Sequence, residues 1–271
     1  MNSLNSYRDS FNEKGFAFIN NFLSISEKEN ILRTFFYICT KYIKIKEEVC
    51  TNLDIENQDF HYSLIQLREN SPEKFSDLYD ELKLNASIRS IFYSSKFMNS
   101  YSSLLGVNQA DLFINGFMVR LDVPFDTKNT LKWHQDSPYY MQSFPYFNGA
   151  VCWIPLTKNT AQNGTLKYIP STHEKLIENI TSSKLNSNKY SIQHALEPDS
   201  EQNKNIKDMN GKIGDMTALH FHIIHKSGEN TSSKVRITLA CRYHDVSKSF
   251  HLGQDTYIYK RSGSREFSTI E

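Results

Sequence analysis

Trp133-His134-Gln135-Asp136, within 131-LKWHQDSPYYM-141, sets an imidazole and a carboxylate two residues apart. In an extended strand, residues i and i+2 point to the same side, so the pair can aim a nitrogen and an oxygen at one point. Two histidines and a carboxylate on one face of an octahedron form the metal site of non-haem Fe(II) oxygenases, leaving the opposite face open. Taken alone, His-x-Asp is more often a surface histidine beside a surface aspartate, so a second histidine must be found. The stretch 214-GDMTALHFHIIHKSGENTSSKVRITLACRY-243 offers His220, His222 and His225. If one strand runs through them, His220 and His222 share a face and His225 lies on the other, and periodicity does not choose between the faces. His225 stands where the apolar run gives way to Lys226-Ser227-Gly228, at a strand end. Eleven residues further on, Arg236 lies inside the apolar run Val235 to Cys241. A guanidinium there must be paired, either with an internal carboxylate or with the distal carboxylate of a bound dicarboxylate, whose shape its planar fork matches.

Such side chains need a scaffold, and the first hundred residues read as mainly helical. Phe16 to Ile19 is a short strand after Gly15. Ser26-x-x-Glu29 has capping-box form and opens a helix with Ile31, Phe35, Ile38 and Tyr42 on one face. Ser71-Pro72 starts another, carrying Phe75, Leu78, Tyr79 and Leu82, and residues 86–105 are also expected to be helical. After Gly106 come short segments rich in β-branched and aromatic residues: 112–123, 150–156, 166–169, 216–225 and 235–243. The expected fold class is α+β, a double-stranded β-helix or jelly roll buttressed by N-terminal helices. One domain is expected over 1–271, with helical support over 1–105 and the jelly-roll core over 106–245. The polar segment 179–212 reads as a solvated insertion, with a lid beside a site as the functional alternative.

Composition narrows the function. Lysine and arginine number 31 against 30 acidic residues, a net charge of +1, which gives no reason to expect nucleic acid or an anionic membrane as partner. Cys39, Cys50, Cys152 and Cys241 form no CxxC pair and read as reduced thiols. The opening MNSLNSYRDSFNEKG has no apolar signal-peptide core, and no run approaches the roughly 20 apolar residues of a membrane helix, so a soluble, cytoplasmic protein is expected. Oligomeric state is not legible in the sequence.

In several ordered motifs the sequence resembles the phytanoyl-CoA dioxygenase family of Fe(II)/2-oxoglutarate oxygenases, from about Gly15 to Tyr243. WHQD at 133–136 is similar to the family's HxD segment. Trp153 followed by 162-QNGTLKYIPSTHEK-175 resembles its tryptophan and N-G-x-L-x-x-x-P-x-S/T-H element. Gly214-Asp215, His220, 225-HKSGENTS-232 and Arg236 match G-D…H…H-x-S-x-x-N-x-S…R in order and spacing. The resemblance implies that His134, Asp136 and His225 bind Fe(II), with His220 outside the ligand set. It implies that Arg236 binds the far carboxylate of 2-oxoglutarate, with Ser227 near it, Trp153 packing beside it and Arg120 contributing from the preceding strand. O2 is then the second co-substrate, and succinate and CO2 are released. Retention of Asp136, which related halogenases replace with a small residue, favours hydroxylation of an unactivated C–H in secondary or specialised metabolism. Desaturation, epoxidation, cyclisation and a non-catalytic jelly-roll binding protein are the alternatives. Tyr139, Tyr140 and Phe144, close after the motif, are the candidate lining for a small-molecule substrate. Lys226 replaces the family's usual glycine and faces either solvent or an acidic substrate.

Overall fold

The computed structural model describes residues 2–126, 130–140, 146–177, 181–183 and 193–248. Helices lead: α1 (Asn2–Lys14), α2 (Ile25–Cys39), α3 (Glu47–Thr51), α4 (Gln58–Asn70), α5 (Pro72–Leu84), α6 (Ala86–Ser90) and α7 (Ser95–Leu105), with the strand β1 (Phe16–Ile19) between the first two. Strands then dominate: β2 (Leu112–Asp122), β3 (Gly149–Pro155), β4 (Lys167–Ile169), β5 (Thr181–Ser183), β6 (Gln193–Ala195), β7 (Lys207–Asp208), β8 (Met216–His220), β9 (Ile224–Lys226) and β10 (Arg236–Asp245), with a short helix α8 (Ser200–Lys204) before β7.

Two antiparallel sheets face each other, one ordered β1-β8-β3-β10-β2 and the other β7-β4-β9, which is the jelly-roll arrangement expected. Alternation along the strands divides the larger sheet cleanly. Val119, Leu121, Cys152, Ile154, Ala218, Ile237, Leu239 and Cys241 point outward into one core with the helical residues Phe35, Phe36, Phe60, Leu78 and Phe97. Tyr243 stacks on Tyr101 of α7 with ring centroids 3.8 Å apart. Val151, Trp153, Leu219 and Ala240 point the other way, into the space between the sheets. The four cysteines are free, and all but Cys50 are buried.

Three expectations are corrected. The capping box of α2 is Ser24 with Glu27, not Ser26 with Glu29. Both pairs have the S-x-x-E form, and the earlier frame starts the helix at Ile25. The run 216–225 is not one strand. It breaks at Phe221–Ile223, and the chain passes there from the larger sheet to the smaller. The segment 179–212 is not simply solvated: Leu196 is buried, donating its backbone N–H to Trp133 O at 2.9 Å, and β7 joins the smaller sheet.

Candidate metal centre

The break at 221–223 decides where the histidines go. β9 runs beside residues 131–135, and His134 and His225 exchange both backbone hydrogen bonds, N to O, at 2.9 and 3.0 Å. Their rings are therefore level, with centroids 4.2 Å apart. Asp136 is set by its own backbone N–H, which donates to Phe221 O at 2.8 Å. Gln135 points to the other side and ties the segment down. Its amide donates to Lys175 O and His222 O at 2.9 and 2.6 Å, and its Oε1 accepts from Ile177 N at 2.9 Å.

Asp136 Oδ1 lies 3.5 Å from His134 Nε2 and 3.9 Å from His225 Nε2. The three donor atoms lie within 4.8 Å of one another, and all three residues are buried. His134 Nδ1 meets Lys132 O at 2.7 Å, and His225 Nδ1 meets Ile223 O at 3.0 Å. A carbonyl accepts only from N–H, so each imidazole carries a proton on Nδ1 and turns its Nε2 into the cluster. Burial, reinforced by the neighbouring His134, pulls His225 down to about 4, so it is neutral near pH 7. Burial acts to raise the Asp136 carboxyl, but the Arg242 guanidinium and the His134 ring outweigh it and hold the group well below the usual carboxylate range. Two imidazole nitrogens and one carboxylate oxygen, aimed inward in a buried space, suit a divalent transition metal.

The other anticipated residues lie along the inter-sheet face of β10 or near it. Arg236 is 1% exposed, and its Nη2 is 2.7 Å from Asp122 Oδ2 on β2. Arg120 reaches the same carboxylate, with Nη2 2.6 Å from Oδ1. Two guanidiniums thus share one carboxylate, and Arg236 Nε is buried without a hydrogen-bond partner among the described residues. Between Arg236 and Arg242 the same strand face carries only Thr238 and Ala240, a floor of small side chains, with buried Trp153 opposite Ala240 on β3. An unfilled N–H beside two clustered guanidiniums and a small-residue floor fit an elongated dianion such as 2-oxoglutarate. Ser227 Oγ accepts from Leu131 N at 3.0 Å, which leaves its own hydroxyl proton to donate.

Tyr139 packs edge-on to His134, with centroids 5.9 Å apart, while Tyr140 covers Arg242 at 4.7 Å. Phe144 lies outside the described residues. Lys226 alternates to the outer face of the smaller sheet, where its ammonium sits 5.0 Å over the Trp133 ring, away from the donor cluster.

Sequence reasoning missed Arg242. Its Nε and Nη2 donate to Asp136 Oδ2 at 3.3 and 3.2 Å, and its Nη1 donates to Gly116 O at 3.0 Å. The signal was available, since Arg242 lies in the same apolar strand as Arg236 and at even spacing from it. Its partner, 106 residues earlier, was not visible.

A family model described as phytanoyl-CoA dioxygenase (PhyH) matches residues 11–238. A comparison with curated proteins finds no match. Several solved structures share the fold. The apo form of the non-heme monooxygenase ThoJ is 21% identical, with a TM-score of 0.57 over 88% of this chain and 77% of that one. The epimerase SnoN in complex with Fe3+, alpha ketoglutarate and nogalamycin RO is 12% identical, with a TM-score of 0.59 over 100% of this chain and 96% of that one. EctD from S. alaskensis with 2-oxoglutarate and 5-hydroxyectoine is 15% identical, with a TM-score of 0.56 over 89% and 75% of the two chains.

Proposed function

The chain belongs to the phytanoyl-CoA dioxygenase family of Fe(II)- and 2-oxoglutarate-dependent oxygenases, and from that premise we propose that it hydroxylates an unactivated C–H of a small molecule in cytoplasmic secondary or specialised metabolism. O2 would be the second co-substrate, and succinate and CO2 the co-products. The observation that carries the reading is the convergence of His134 Nε2, Asp136 Oδ1 and His225 Nε2 within 4.8 Å, with both imidazole tautomers fixed by backbone carbonyls. These three would hold Fe(II). When bound, iron with 2-oxoglutarate supplies the oxidising power that cleaves the C–H bond.

The chain's own side chains do the rest. Arg236, with its unfilled Nε, would take the far carboxylate of 2-oxoglutarate, with Arg120 supplying the second cation and Ser227 a hydroxyl proton. Thr238 and Ala240 would leave room for its carbon chain, and Trp153 would wall it. Near Asp136, the rings of Tyr139, Tyr140 and Phe221 would exclude water and favour a partly apolar or ring-bearing substrate. Helices before Gly106 and strands after it would act as one catalytic unit.

Mixing the purified protein anaerobically with Fe(II) and 2-oxoglutarate is expected to give a weak visible charge-transfer band, absent in His225→Ala. Incubation with metabolite pools in air should yield a product 16 mass units heavier than its substrate, dependent on 2-oxoglutarate. One fold relative is an epimerase, so a product of unchanged mass with altered stereochemistry, or one two units lighter, would replace hydroxylation by another outcome of the same site. No band and no succinate would overturn the oxygenase reading in favour of a binding protein.

A further inference from the structure

We propose that Arg242 is a positioning residue that holds Asp136 to single-oxygen metal binding, and so keeps open the coordination position that the second carboxylate oxygen would otherwise fill. The proposal rests on the function proposed above and goes beyond it in assigning a role outside the ligand set.

The two oxygens of Asp136 have separate partners. Oδ1 faces both imidazoles, at 3.5 and 3.9 Å. Oδ2 accepts two hydrogen bonds from one edge of the Arg242 guanidinium, Nε at 3.3 Å and Nη2 at 3.2 Å. The guanidinium is itself fixed. Nη1 donates to Gly116 O at 3.0 Å, and the Tyr140 ring covers the carbon at 4.7 Å. Oδ2 cannot turn toward a metal without giving up both charged hydrogen bonds inside a buried space.

That restraint matters to the chemistry. A carboxylate binds metals through one oxygen or two. Two histidines and one oxygen leave three octahedral positions, enough for a chelating 2-oxoacid and O2 together, whereas a two-oxygen carboxylate leaves one fewer. An unrestrained Asp136 would therefore compete with the co-substrate for the same metal.

The backbone is shaped to admit Arg242. The pairing of β2 with β10 slips between Ala240 and Arg242, where β2 carries one extra residue beside Gly116. Gly116 has φ +61°, the left-handed conformation of a bulge glycine. A Cβ there would lie 2.8 Å from Arg242 Cδ and 3.0 Å from the Tyr140 ring. The bulge turns the Gly116 carbonyl to Nη1 and leaves the space through which the arginine reaches Oδ2.

Wild type, Arg242→Met, Arg242→Ala and Gly116→Ala are compared by titrating Fe(II), then 2-oxoglutarate, under anaerobic conditions while following the charge-transfer band and heat. Arg242→Met should bind one Fe(II) per chain, because its three ligands remain. Its affinity for 2-oxoglutarate should fall by about tenfold or more, with a weaker, shifted band. Guanidinium ion at sub-denaturing concentration should restore the band in Arg242→Ala but not in Arg242→Met, whose side chain fills the space. A residue that merely supports the fold would show no such rescue. Should Arg242→Met not fold, Gly116→Ala, which crowds the guanidinium off Oδ2, carries the same expectation. Wild-type 2-oxoglutarate affinity and band in either variant would overturn the proposal. No band in the wild type would instead overturn the oxygenase reading.

Discussion

Arg242 and Arg236 occupy the same face of β10, six residues or roughly 20 Å of strand apart, and their surroundings treat them differently. Arg242 has one carboxylate to itself, a carbonyl on its third nitrogen and a tyrosine ring across it. Arg236 shares Asp122 with Arg120 and keeps Nε buried without a partner among the described residues. At one end every guanidinium nitrogen is filled, and at the other one N–H is still open among the described residues. A metal ligand must be held still before the metal arrives, so its end is built complete. A co-substrate brings its own charge, so its end is built incomplete.

The most forceful way to break this contrast is to remove the carboxylate at each end. Asp136→Ala leaves Arg242 buried and unpaired, which should cost about 3 to 5 kcal/mol of stability. It should also lose the metal. Asp122→Asn should expel or loosen one of two arginines that already share a partner, but Arg236→Met should be gentler still, because Asp122 keeps Arg120. Urea denaturation of the metal-free proteins should therefore rank Asp136→Ala as clearly less stable than Arg236→Met. Equal losses would show that the two ends do not differ as drawn.

The same Arg236→Met protein should keep its metal and lose co-substrate. One or two charged hydrogen bonds to a carboxylate are worth about 1.5 to 3 kcal/mol, which is roughly ten- to a hundredfold in the KM for 2-oxoglutarate. Fe(II) binding should be unchanged. A shift in metal affinity as large as the shift in KM would mean the ends are coupled.

Much of this was legible in the sequence, and what was hidden has identifiable causes. The HxD pair, the amphipathic helices and the strand segments follow from spacing of two and of three to four, which needs no tertiary information. Periodicity could not choose His225 over His220, a choice that the family resemblance made, because apolar residues continue through the strand break at Phe221–Ile223 that separates them. The α2 cap was misplaced by one of two overlapping S-x-x-E frames. Arg242 was hidden because the reason for a buried charge lies in its partner, and Asp136 is distant in sequence. Tyr140 reads as substrate lining by proximity to the motif, and proximity could not show that its ring also covers Arg242.

A smaller effect distinguishes the ends by pH. Burial lowers His225 to about 4, and it likewise lowers His61 to about 4 and His220 and His244 to about 3. In the unfolded chain these groups take up protons near pH 6.5, while in the folded one they do not until near pH 4. Stability of the metal-free protein is thus full above about pH 6.5 and lost progressively as pH falls toward 4. Urea midpoints should drop between about pH 7 and pH 5. Because burial has already stripped His225 of its proton and the Asp136 carboxyl is held low, neither of these two ligands should take up a proton from a departing metal over the same interval. The arginine-rich end has no histidine in its ion-pair set, so 2-oxoglutarate affinity should not follow these protons either. Urea midpoints that stay level between about pH 7 and pH 5 would show that these histidines keep ordinary pKa values in the fold.

The smallest effect is expected one residue from the metal ligand. Lys226 follows His225 in sequence but turns to the opposite face of the smaller sheet, where it lies over Trp133. A cation above an indole at a partly exposed site contributes about 0.5 to 1 kcal/mol. Lys226→Ala should therefore lower stability by no more than that and leave turnover and the KM for 2-oxoglutarate unchanged. Lys226→Glu should lose the ring contact as well, again without a kinetic change. If either variant alters KM for a small-molecule substrate, the lysine reaches the space between the sheets, and alternation along β9 does not separate the chemistry of the inner face from the packing of the outer one.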